Sequence, residues 1–182
     1  SVVLIGIGIF FAWLDHKEKQ KRIEVSEYFI EAKIMLNQNN PSNSYEILKK
    51  IIDEKEKIYS PLSLFLIIDK NLEKDKKIIS EYFDVILSIK DLEKEDSNLL
   101  KLKKAIFISN NSNESEILAL LTPVINSESV WKIQSVKFLG DYYFSLKQFK
   151  KAEEYYSILL ENGQSNIDIA EIERKMKLIS ND

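Results

Sequence analysis

The chain holds one histidine and no cysteine. That alone removes most familiar reactive constellations. A structural zinc site needs four nitrogen, sulfur or oxygen ligands, and a general base needs an orienting partner. His16 stands alone in "LDHKEKQ", so it is expected to be a solvated residue rather than a ligand or base. "GIGIFF" begins like a dinucleotide loop, but it lacks the third glycine, the preceding strand and a polar helix start. There is no Gly-Lys-Ser/Thr phosphate loop and no His-Glu-x-x-His. The carboxylates of "DLEKED" and "KKAEEYY" alternate with lysine, the pattern of solvated helix faces laced by i, i+4 pairs. Asn110 and Asn113 begin "NNS" and "NES", which match the glycosylation acceptor pattern, as a turn rich in Asn and Ser does by chance. The expectation is a non-catalytic protein with no cofactor, metal or small-molecule substrate. A net charge of -3 and a pI near 5.4 give no basic surface for nucleic acid.

What remains is recognition chemistry. Phe29 and Lys33 in one segment, and Gln134, Lys137, Asp141 and Phe144 in another, mix aromatic, charged and amide groups. Each set lies beside an apolar stripe of helical period. If these helices line a groove, the six residues are the candidate partner-binding set. The alternative is that Phe29 and Phe144 simply pack against neighbouring helices, as phenylalanine usually does.

The elements that would position them are helices. Only 4 Gly and 3 Pro interrupt 182 residues, and apolar residues recur at a spacing of three and four. In "VKFLGDYYFSLKQFKKAEEYYSILLENG", Val136, Leu139, Gly140 and Tyr143 share one face. Phe149, Ala152, Tyr156 and Leu159 form a second stripe after a break at Lys147 and Gln148. Gly140 is small enough to let the second helix come close. Gly163 is placed to end that helix in a left-handed cap. Weaker copies precede it. Tyr28, Ala32 and Met35 lead through "NQNNPSNS" to Tyr45, Leu48, Ile51 and Ile52. "SPLSLFLIIDKNLEKDKKIISEYFDVIL" opens with Ser60 as an N-cap and Pro61 as first helical residue. "SNLLKLKKAIFISNNSNESEILALLTPVI" repeats the plan. The predicted units are 25–58, 60–91, 96–126 and 130–163, with a capping helix over 167–179 carrying Ile169, Ile172, Met176 and Ile179. Leucine-glycine, aromatic, alanine, aromatic at this spacing resembles the tetratricopeptide repeat, whose period is about 34 residues. The fold class expected is all-α: a tetratricopeptide-repeat-like α-solenoid of helical hairpins with a C-terminal capping helix.

Residues 1–14 differ from all this. No polar residue falls between Val2 and Leu14; then Asp15, His16, Lys17, Glu18 and Lys19 follow. Phe10, Phe11 and Trp13 sit where an interfacial aromatic belt would lie. Trp13, Leu14 and Asp15 offer no small-residue cleavage site, which speaks against a signal peptide. The expectation is the end of a transmembrane helix whose first part precedes Ser1, then a charged junction over 15–24. Lys17, Lys19, Lys21 and Arg22 on the exit side lean cytoplasmic by the positive-inside rule. They could also meet anionic lipid headgroups.

Taken in order, "IGIGIFFAWLDH", "YSPLSLFLIIDKNLEKDKKI", "NLLKLKKAIFI" and "VWKIQSVKFLGDYYFSLKQFKKAEEYY" resemble the YfgM-type ancillary subunits of the SecYEG translocon over essentially the whole chain. The resemblance implies a single-pass bacterial inner-membrane protein with its repeats in the periplasm. Its partners would be translocon subunits, periplasmic chaperones or emerging chains. An anchored repeat scaffold for cell-envelope assembly or division is the alternative with the same fold.

Overall fold

The computed structural model describes residues 2–110, 114–162 and 168–180, with side chains from residue 13 onward except at 162. Every element among them is an α-helix. In chain order these are α1 (Val2–Asn37), α2 (Pro41–Asp53), α3 (Tyr59–Asp69), α4 (Lys76–Leu87), α5 (Lys94–Ile108), α6 (Glu114–Ile125), α7 (Lys132–Ser145), α8 (Phe149–Asn162) and α9 (Ile169–Ile179). They fall into two compact units, Ser1–Leu92 and Glu93–Asp182.

In the first unit α1 pairs with α2, and α3 packs on both and on α4. Its core is aliphatic: Val25 and Ala32 from α1, Leu48, Ile51 and Ile52 from α2, Leu64 and Ile67 from α3, and Ile79, Phe83 and Ile86 from α4 are buried. Each fully buried Leu or Ile contributes about 2 kcal/mol. In the second unit Val136, Leu139, Tyr143, Ala152, Tyr156 and Leu159 of α7 and α8 form the centre. Ile117 and Leu121 of α6 and Ile172 of α9 close over it, and Met176 and Ile179 pack at the margin.

The hairpin turns share one construction. Asn39, Asn71 and Lys147 all have positive φ, 58°, 51° and 58°. In each case the N–H of that residue bonds three residues back (Leu36, Ile68, Phe144). The next N–H bonds five back (Met35, Ile67, Tyr143). This is the Schellman closure, which satisfies carbonyls that a helix end leaves orphaned. Asn tolerates the left-handed region; Lys does so at a cost. Lys147→Gly is therefore expected to raise the stability of the second unit by about 0.5–1 kcal/mol in urea unfolding, and Asn71→Gly to change the first unit much less. The turn between α5 and α6 includes residues outside the described set, as does Gly163 with its expected cap. The last helix begins at Ile169 behind Asp168, which accepts from the N–H of Glu171 at 3.0 Å.

One expectation needs correction. Ser60 does not cap α3, and Pro61 is not its first residue: the helix begins at Tyr59. Glu56 takes that role. Its Oε2 accepts from the N–H of Ile58 at 2.8 Å and of Tyr59 at 2.7 Å. Ser60 is buried and donates back to the carbonyl of Ile51 at 2.8 Å. A carboxylate at a helix N-terminus gains from the macrodipole as well as from two donors, so it displaces a serine. Glu56→Ala should cost about 1.5 kcal/mol in the first unit, and Glu56→Gln less.

Residues 15–24, the charged junction of the sequence, are helical. α1 runs unbroken from Val2 to Asn37. No Gly or Pro occurs between Gly8 and Pro41 to stop it. Lys19–Asp15 at 2.7 Å and Arg22–Glu18 at 3.3 Å are i, i+4 pairs that favour helix. Among the described residues no helix is long and apolar enough to cross a membrane.

Candidate functional site

The six candidate groove residues divide between the two units: Phe29 and Lys33 belong to the first, and Gln134, Lys137, Asp141 and Phe144 to the second. Lys33 is exposed. Phe29 is half-buried, its ring 5.6 Å from that of Tyr59. Phe144 is half-buried between Phe149 and Tyr156, at centroid distances of 5.7 and 6.4 Å. Both phenylalanines thus pack within their own units.

Lys137 and Asp141 are occupied too. They stand one turn apart on α7 and bond at 2.6 Å. Asp141 also accepts from Lys175 of α9 at 2.7 Å and from the Tyr156 hydroxyl of α8 at 2.8 Å. Lys137 lies 3.5 Å from Glu171 of α9, and Glu171 bonds Lys175 at 2.6 Å. Burial pushes the Asp141 carboxyl up, but the donors Lys137, Lys175 and Tyr156 outweigh it and hold its pKa below the ordinary value. For Lys175, burial acts downward, and bonds to Asp141 and Glu171 win, so its pKa rises. Burial, then the bond to Asp141, pushes the Tyr156 phenol far up, so it stays a donor. The arrangement stitches α7, α8 and α9 together. Side chains of α9 thus occupy Lys137 and Asp141 of α7. Gln134 is half-buried, and its Oε1 is without a hydrogen-bond partner, as is Nδ2 of buried Asn98.

Tyrosine–carboxylate ties recur elsewhere. Tyr143 donates to Glu114 at 2.8 Å, and Lys151 joins the same oxygen at 2.6 Å. In the first unit Tyr45 donates to Glu73 at 2.6 Å and meets the Tyr82 hydroxyl at 2.9 Å. Glu95 of α5 accepts from the Ser129 hydroxyl at 2.7 Å and the N–H of Val130 at 3.1 Å, just ahead of α7. These carboxylates tie one helix to another. Among the described residues no group of three or more His, Asp or Glu side chains could hold a metal ion.

The basic collar of α1 is engaged as well. Lys21 bonds the Glu54 carbonyl at 2.6 Å and its carboxylate at 3.1 Å. Arg22 reaches Glu56 at 3.1 Å, and Lys57 reaches back to Glu18 at 3.1 Å. Lys17 lies over the Trp13 ring at 5.4 Å.

One surface was missed by sequence reasoning. Ile23, Ile30 and Ile34 of α1 are 54%, 57% and 46% exposed. Their spacing of seven and four puts them on one face, opposite Val25 and Ala32. The signal was in the sequence: α1 carries two apolar stripes, and a helix with one buried side needs one. Comparison with protein-family models, with curated proteins and with solved structures finds no match for this chain.

Proposed function

We propose that this chain is a non-catalytic adaptor built from tetratricopeptide-like hairpins and held at a membrane through the leading part of α1. The repeat reading is carried by the interlock of Gly140 with Tyr156 beside the Schellman turn at Lys147, a turn built the same way in two other hairpins. Stacked hairpins with no reactive set serve to bind other chains. The membrane reading rests on the uniform apolarity of residues 2–14 and on their aromatic exit. With Lys21 and Arg22 paired to Glu54 and Glu56, the collar is not a bare cationic patch, which eases a periplasmic placement of the repeats. The likeness to translocon ancillary subunits suggests the bacterial inner membrane as location, and translocon subunits and periplasmic chaperones as partners.

Single cysteines at Ile30 and Val130, both exposed, allow photocrosslinking in membranes because the chain has no other thiol. Recovery of translocon subunits is the expected result. Recovery of cell-envelope assembly enzymes alone would favour the scaffold reading. Release of the protein into the supernatant by alkaline carbonate would overturn the anchor, and a C-terminal reporter active only in the cytoplasm would overturn the periplasmic placement.

A further inference from the structure

We propose that the outward face of α1 docks a basic amphipathic helix of a partner protein. This inference rests on the adaptor reading but needs no membrane. The face has the two components that such a helix recognises. The apolar component is the stripe Ile23, Ile30 and Ile34, about half exposed in each case. A helix packed on it reads one apolar position every one or two turns. The charged component is a row of carboxylates along one flank, Glu24, Glu27 and Glu31, all exposed. Among the described residues Glu24 accepts only the Tyr28 hydroxyl, at 3.0 Å. Glu27 and Glu31 pair with no cation among the described residues.

The nearby cations are spent elsewhere: Lys21 on Glu54, and Arg22 on Glu56 and Glu18. Lys17 lies over the Trp13 ring instead of a carboxylate; Lys33, on the opposite flank, would favour an acidic residue at one edge of the partner. At the N-terminal end of the stripe lies a depression of about 640 Å³, lined by Lys17, Gln20, Lys21, Ile23, Glu24, Glu27 and Glu54. It gives a long basic side chain room to lay its methylenes on Ile23 and bring its charge to Glu24 and Glu27.

Other occupants fit less well. An anionic bilayer surface is repelled by the carboxylate row. A second copy would bring another acidic row against this one, and three half-exposed isoleucines offer far less than the roughly 800 Å² per partner of a stable dimer.

The test uses the full chain in detergent micelles. The probe is a fluorescent synthetic helix of about 18 residues, five turns, with a leucine stripe flanked by lysines; its twin carries glutamates instead. Anisotropy should show the lysine helix binding and the glutamate twin at least about tenfold weaker. E27K/E31K should reverse that preference, and I30S/I34S should weaken binding of the lysine helix. Because all four positions are exposed, thermal melts of both variants should match the parent. If I30S/I34S melts lower, E27K/E31K decides alone. Equal binding of the twins, binding indifferent to E27K/E31K, or no binding overturns the proposal. A dimer in sedimentation that I30S/I34S abolishes assigns the face to a second copy and also overturns it. Photocrosslinks from Val130 that survive both variants, with the peptide result negative, would sink this surface and leave the adaptor reading standing.

Discussion

Gly140→Ala should lower the stability of the second unit by about 2 kcal/mol, and Gly140→Val by about 4 kcal/mol. A Cβ at this position would lie 2.5 Å from Cε1 and 2.7 Å from Cδ1 of the Tyr156 ring, well inside van der Waals contact. The ring has nowhere to go. Tyr156 is fully buried, and its hydroxyl is held by Asp141 at 2.8 Å. Alanine gains about 1 kcal/mol of helix propensity over glycine, so the packing penalty must exceed that by a clear margin. Urea unfolding followed by Trp131 emission in a Trp13→Phe background reads this unit. The decisive arm is the Tyr156→Leu background, where the clash is gone. There Gly140→Ala should be neutral or stabilising by up to about 1 kcal/mol. If Gly140→Ala costs as much with leucine at 156 as with tyrosine, the interlock is not what makes glycine necessary.

Asp141→Asn should cost about 2–3 kcal/mol. The amide keeps the shape and can still accept from Tyr156, but it leaves Lys137 and Lys175 with Glu171 as their one shared anion among the described residues. The loss should be less than additive with Lys175→Met, since one partner is then already absent. Its pH dependence has a fixed sign. The carboxyl is held below its ordinary value of 3.8, so the unfolded chain binds its proton first as pH falls. The Asp141 contribution is complete above that value and fades as pH drops through the folded pKa. The gap between parent and Asp141→Asn should therefore be constant from pH 7 to about 5 and shrink below about 4. Glu114, held down by Lys151 and then Tyr143, and Glu171, held down chiefly by Lys175, weaken the parent over the same range. A gap that widens on acidification would mean that Asp141 is not stabilised as an anion.

The helices and their buried faces were legible in the chain. Gly140, Ala152 and Tyr156 announced a close hairpin because a small residue facing an aromatic one at helical spacing has few other uses. The turn at Lys147 was legible as a break but not as a left-handed residue, because lysine gives no hint of positive φ. The α3 cap was misread: serine before proline is a good local signal, yet Glu56 offers a full charge two and three residues ahead of the amides it serves. The partners of Lys137 and Asp141 were hidden for a longer-range reason. Lys137 and Asp141 look like surface recognition residues on α7 until α9, some thirty residues further on, returns Glu171 and Lys175 to meet them. Periodicity describes a helix, not which later helix covers it. The stripe on the far side of α1 is hard to read because isoleucine at helical spacing is the usual mark of a buried face.

The unbroken course of α1 has a mechanical consequence. A helix turns by about 100° for each residue. Whatever grips the chain ahead of Asp15 is therefore in phase with Glu54 and Glu56, which grip it at Lys21 and Arg22. One residue inserted near His16 would swing the leader by more than a quarter revolution against the body, while seven would nearly restore the alignment. The molecule has a shaft here and no swivel, so twist applied at one end is delivered to the other.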